Sequence, residues 1–164
     1  MHPAGAIVYL PNLVDVGQYV GTFDIFLLFN GVNGNVWLSF SVGLLLDTGH
    51  CLAAGVDPLS VLSKHGARIC HLHCKDVRPE VLEQALSQDM GFMEAVLHGL
   101  YTVPGDGCID YSALLHGLRG IDYRGWLVVE AEQDPAKANP LQYARMGYNH
   151  LCQCARQAGY LIER

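Results

Sequence analysis

Asp47, His73 and Glu130 each close an apolar run of strand-like length. Val42-Gly43-Leu44-Leu45-Leu46 ends in Asp47-Thr48-Gly49-His50, and a second run ends in His71-Leu72-His73-Cys74-Lys75-Asp76. Trp126-Leu127-Val128-Val129 ends in Glu130. A carboxylate, an imidazole and a second carboxylate suit Mn²⁺, Fe²⁺, Co²⁺ or Zn²⁺ better than Ca²⁺, which takes oxygen ligands only. His50, three residues after Asp47, can face the same pocket. His71 and His73 alternate along a strand and so point to one side. His73, nearer the strand end, is the better ligand, with His71 supporting it from behind. Lys75 and Arg78 are candidates to hold a substrate oxygen. Glu130 follows four apolar or aromatic residues, where a carboxylate is costly without a partner, whereas Glu132 is expected in the loop beyond. Each residue also has a plainer role: Asp47 as a cap, His50 as a structural histidine, Lys75 and Arg78 as loop charges. The case for metal-assisted chemistry rests on three strand ends in register.

Groups at the C-terminal ends of successive strands require a parallel sheet, whose strands alternate with helices. The pattern from about residue 42 predicts this. Strands are expected at Val42 to Leu46, Arg68 to His73 and Trp126 to Ala131. Asp57-Pro58 supplies an N-cap and a proline at the first helical position, predicting a helix from Leu59 to Lys64. Residues 79–100 carry helix formers at near-helical spacing, and Val103-Pro104-Gly105-Asp106-Gly107 reads as a loop. Asp110 caps a helix through Leu118 that Gly120 ends. Asn139-Pro140 opens a last helix, with Leu141, Ala144, Tyr148, Leu151 and Ala155 on one face and Gly159 as its stop.

With 164 residues the chain can bury the core of one domain, but falls short of the ~250 residues of a full (β/α)₈ barrel. A net charge of -6 without basic runs argues against nucleic acid as a partner. Six cysteines without a recognisable secretory leader read as free thiols in a reduced, cytoplasmic chain. Residues 1–41 stand apart. No Lys, Arg or Glu occurs before Lys64, and residues 1–40 contain only Asp15 and Asp24 as charged groups. Asp24, Asn30, Asn33 and Asn35 interrupt the apolar stretch, which argues against a membrane span. This atypical segment fits a buried strand, a covered interface or an ill-ordered leader equally well.

Four stretches carry a family resemblance: Leu44-Leu45-Leu46-Asp47-Thr48-Gly49-His50, residues 71–80, residues 103–110, and residues 125–135. Over roughly residues 42–150 the chain resembles the C-terminal part of the inosose (2-keto-myo-inositol) dehydratases, in the xylose-isomerase-like superfamily of (β/α)₈ barrels. The resemblance implies an α/β chain forming about the last three β/α units of a TIM barrel, spanning 42–164. It implies a divalent metal, Mn²⁺ or Co²⁺, held by Glu, Asp, His and Glu on the last four strands. Asp47, His73 and Glu130 match the second to fourth of these ligands, and His50 matches a substrate-contacting histidine. The first ligand is expected some thirty residues before Asp47, yet no Glu precedes Glu80.

The implied reaction is loss of water from a cyclic polyol ketone through an enediolate, with Glu130 moving protons and His50, Lys75 and Arg78 holding or assisting the substrate. Alternatives are a sugar isomerase or epimerase of the same superfamily, or an inactive remnant. The chain reads as the end of a barrel behind a foreign segment, as a truncated gene, shifted start or alternative splice would give. An open barrel edge then predicts self-association.

Overall fold

The ends of three parallel strands bring the candidate residues side by side. The computed structural model describes residues 6–9, 25–32 and 35–162, with side-chain surroundings from residue 43 onward. Asp15 and Asp24 lie outside the described residues. The central sheet contains β4 (Leu44–Asp47), β5 (Ile69–Cys74) and β8 (Trp126–Val129), which are mutually parallel, and β1 (Ala6–Tyr9), which runs antiparallel on the outer edge of β8. Strands β2 (Ile25–Val32) and β3 (Asn35–Val42) form a separate antiparallel pair. Among the described residues β4 is paired on one side only, so the sheet is an arc of a barrel and does not close.

Alternation along these strands divides the sheet into two faces. Leu46, Leu72, Cys74, Leu127 and Val129 point outward into the main core. There they meet Leu62 of α2 (Pro58–His65), Leu114, Leu115 and Leu118 of α5 (Tyr111–Gly120), and Leu151, Cys152, Cys154 and Ala155 of α6 (Pro140–Gln157). Asp47, His71 and His73 point the other way. The predicted caps are in place: the side chains of Asp57, Asp110 and Asn139 accept backbone N–H groups of the first helical turns. The buried residues of α6 are Gly147, Leu151, Cys152, Cys154 and Ala155, while Leu141 at its start is exposed.

Three local differences from the sequence expectation have physical causes. Thr48 begins a short helix α1 (Thr48–Ala53) directly, with Asp47 as its cap, so no loop separates strand from helix. The expected helix over 79–100 is two helices, α3 (Pro79–Ser87) and α4 (Phe92–His98), broken where Asp89 adopts φ 51° ahead of Gly91. Two short strands, β6 (Asp76–Val77) and β7 (Tyr101–Thr102), pair antiparallel and close a second small core of Val77, Ala85, Ala95, Val96, Leu100 and Tyr101. This sub-core rises beside the ligand end of the sheet. All six cysteines are free thiols, and no described helix is long and apolar enough to cross a membrane.

Candidate metal centre

Register places the candidate ligands. Asp47 lies opposite His73 across the β4–β5 ladder, and His73 lies opposite Val128 on β8. Glu130, one residue beyond β8, continues the ladder by donating its N–H to Cys74 O at 3.2 Å. Ligand atoms of Asp47, His73 and Glu130 thereby come within 4.8 Å of one another, and among the described residues no other such group forms. His73 Nδ1 stands 2.7 Å from Glu130 Oε2 and 3.7 Å from Asp47 Oδ2. His71 is buried, and its ring meets the His73 ring edge-on at 5.4 Å.

The acids and the imidazole perturb one another strongly. The Asp47 carboxylate above all, then Glu130, raises His73 to about 9 against the pull of burial. Burial pushes Asp47 up, but the His73 ring, the Lys75 charge and the His50 N–H together hold it below the usual carboxylate range. His73 lowers Glu130 in the same way, with help from Lys75. A proton on His73 thus offsets negative charge that a cation would otherwise offset. Glu130 Oε2 is also buried, and the positive charge facing it from His73 and Lys75 offsets the cost of desolvating a carboxylate. The donor set fits a divalent cation with mixed N and O preference, and three protein ligands leave positions open to a substrate.

Lys75 is the hinge of the site. It is 1 % exposed, and its Nζ lies 3.2 Å from Asp47 Oδ2, 3.2 Å from Glu132 Oε2 and 3.7 Å from Glu130 Oε2. It also lies 2.9 Å from His50 Nε2 and sits over the Tyr101 ring, 5.2 Å from its centroid. Three carboxylates face the Lys75 ammonium, and with His73 protonated one formal negative charge remains; a divalent ion that displaces the His73 proton would meet two.

The Asp47-Thr48-Gly49-His50 motif exists largely to hold this lysine. Thr48 Oγ1 donates to Lys75 O at 2.7 Å and accepts from Lys75 N at 3.1 Å, while the buried Tyr111 hydroxyl donates to the same carbonyl. A Cβ on Gly49 would come within 2.7–2.9 Å of the Lys75 stem, so only glycine lets the stem pass. His50 ends the motif, with Nδ1 3.0 Å from the Tyr101 hydroxyl and Nε2 3.8 Å from Asp47 Oδ2. Burial raises the Tyr101 phenol to about 12.

Arg78 is placed apart from this cluster. Its guanidinium donates to Gly99 O, Thr102 Oγ1 and Asp106 Oδ2, tying the β6–β7 sub-core to the 103–109 loop. Asp76 does related work: fully buried, it accepts the N–H groups of Val77, Gly105 and Ile109. Its pKa is raised because burial outweighs those hydrogen bonds. Two site residues went unrecognised in the sequence. Tyr101 carries no signal, being one apolar residue among many. Glu132 lies in the expected loop, yet its carboxylate turns back to Lys75 and His50; the clue is its two-residue spacing from Glu130, which continues the strand alternation past the strand end.

Known proteins are similar to this chain in sequence. Residues 34–154 match the family model of the xylose isomerase-like TIM barrel. The chain is 53% identical over 121 residues to the Rhizopine catabolism protein MocC of Rhizobium meliloti, covering 74% of this chain and 37% of that protein. It is 49% identical over 110 residues to the inosose dehydratase of Geobacillus kaustophilus, covering 67% and 36%. With the inosose dehydratase of Halalkalibacterium halodurans the identity is 52% over 103 residues, covering 63% and 34%. The chain thus spans little more than a third of the length of these relatives. By the extent of the family match and the arc of parallel strands ending in Asp47, His73 and Glu130, this chain belongs to the xylose isomerase-like TIM barrel family.

Proposed function

We propose that the site dehydrates 2-keto-myo-inositol with a divalent metal, Mn²⁺ or Co²⁺, held by Asp47, His73 and Glu130. The observation that carries this reading is the triad itself, two carboxylates and an imidazole whose ligand atoms lie within 4.8 Å of one another. The names of the inosose dehydratase relatives supply the substrate. A cation held there would supply Lewis acidity to the ketone oxygen.

The chain's own groups do the rest. Dehydration breaks a C–H bond beside the ketone and a C–O bond one carbon further, forms a C=C bond, and releases proton and hydroxide as water. Glu130, at the end of β8, moves the proton. Lys75 and His50, 2.9 Å apart beside Asp47, hold the ring hydroxyls and assist the departing one. Lys75 is nearly water-excluded and pinned at both backbone and stem, so it is preorganised for this task. Arg78 contributes at one remove, by fixing Asp106 in the 103–109 loop. The test is Mn²⁺- or Co²⁺-dependent conversion of 2-keto-myo-inositol by the purified chain, alongside Glu130→Gln. We expect turnover that the variant abolishes. A metal-loaded chain without turnover would refute the activity for these 164 residues.

A further inference from the structure

Lys75 joins two acidic groups of different character. On one side stand the metal-site acids. On the other stands Glu132, whose Oε2 lies 3.2 Å from Lys75 Nζ and 3.4 Å from His50 Nε2. Glu132 adds no atom to the compact ligand group, which among the described residues consists of Asp47, His73 and Glu130. Its Oε2 is nonetheless buried, and the Lys75 ammonium faces it. Side-chain exposures of 34 % for Glu132 and 42 % for His50 show that the pair borders solvent, open to an incoming molecule. Phe92, 53 % exposed, stands beside His50 with ring centroids 6.1 Å apart, and Tyr101 is 6.2 Å from Phe92.

These features select a chemical class. A carboxylate or phosphate ligand would be repelled by Glu132, and a purely apolar one would strip water from its partly exposed carboxylate without replacing it. A neutral ring bearing adjacent hydroxyls fits. One hydroxyl donates to Glu132, its neighbour accepts from Lys75, and the C–H face lies against Phe92 and Tyr101. We propose that Glu132 is the specificity-determining residue that accepts a ring hydroxyl of a cyclic polyol, using Lys75 as a fixed partner donor, and that it is not a metal ligand. This rests on the dehydratase reading and adds a residue to its substrate-binding side.

The experiment titrates myo-inositol, which lacks the reacting ketone, into the Mn²⁺-loaded full chain and its Glu132→Gln variant by calorimetry. Mn²⁺ affinity and thermal unfolding are measured for both, and turnover of 2-keto-myo-inositol is assayed separately. We expect the variant to keep its Mn²⁺ affinity and unfolding temperature and to bind myo-inositol roughly 10- to 100-fold more weakly. Equal polyol binding by both proteins would overturn the role of Glu132 while leaving the dehydratase reading intact. Loss of Mn²⁺ affinity or of folding in the variant would overturn it too, making Glu132 a ligand or a structural residue. A wild-type chain that binds Mn²⁺ but no myo-inositol would also remove it. Polyol binding without turnover would instead strike the dehydratase reading alone.

Discussion

A histidine between two carboxylates competes with any cation for the same charge balance, and His73 makes that competition measurable. Its folded pKa is raised from 6.5 to about 9, chiefly by Asp47. The protonated ring therefore stabilises the metal-free fold fully below pH 6.5, and that contribution disappears as pH rises through about 9. Metal must displace this proton, so affinity runs the opposite way. We expect Mn²⁺ binding to strengthen from pH 6.5 to 9 with release of protons, while the metal-free chain loses thermal stability over the same interval. Calorimetry in buffers of different ionisation enthalpy, paired with metal-free melts, checks both. Affinity that is flat across this interval would mean His73 is not a ligand.

At the scale of elements, the β4–α1 junction carries a sharp test. Alanine in place of Gly49 would gain ~1 kcal/mol of helix propensity in α1. The new Cβ, however, would meet the Lys75 stem at 2.7–2.9 Å, and that stem cannot yield because its backbone and head are both held. Overpacking of this kind costs ~1–3 kcal/mol, so Gly49→Ala is expected to be net destabilising in urea denaturation and to weaken Mn²⁺ binding. A stabilised variant would show that Lys75 is free to move. The same junction shows what the sequence revealed and what it hid. Apolar runs ending in Asp47, His73 and Glu130 exposed the strands and the candidate ligands, because period-two burial and buried charge both leave marks in composition. The proline- and acid-marked starts of α2, α5 and α6 were legible for the same reason. Thr48 as a clamp on Lys75 was not, since its partner lies 27 residues away. Nor was the break between α3 and α4, where one aspartate takes a left-handed conformation that Asn and Gly more commonly signal.

At the scale of the whole molecule, the arc leaves β4 with one described neighbour, and β-sheet edges of that kind recruit further strands. We expect the purified chain to self-associate, seen as concentration-dependent sedimentation. Monodisperse monomer with a single cooperative melt at high temperature would count against this. The opposite edge is covered by β1, and that pairing has a kinetic consequence. β4 and β5 are joined through the short helices α1 and α2, whereas β1 and β8 pair residues 6–9 with residues 126–129, far apart along the chain. Closing the longer loop costs more entropy and forms later, so β1–β8 should zip last on folding and unzip first on opening. Asp47 and His73 would then be assembled while the strand leading to Glu130 is still exchanging with solvent, and slow hydrogen exchange should fade from β5 outward toward β1.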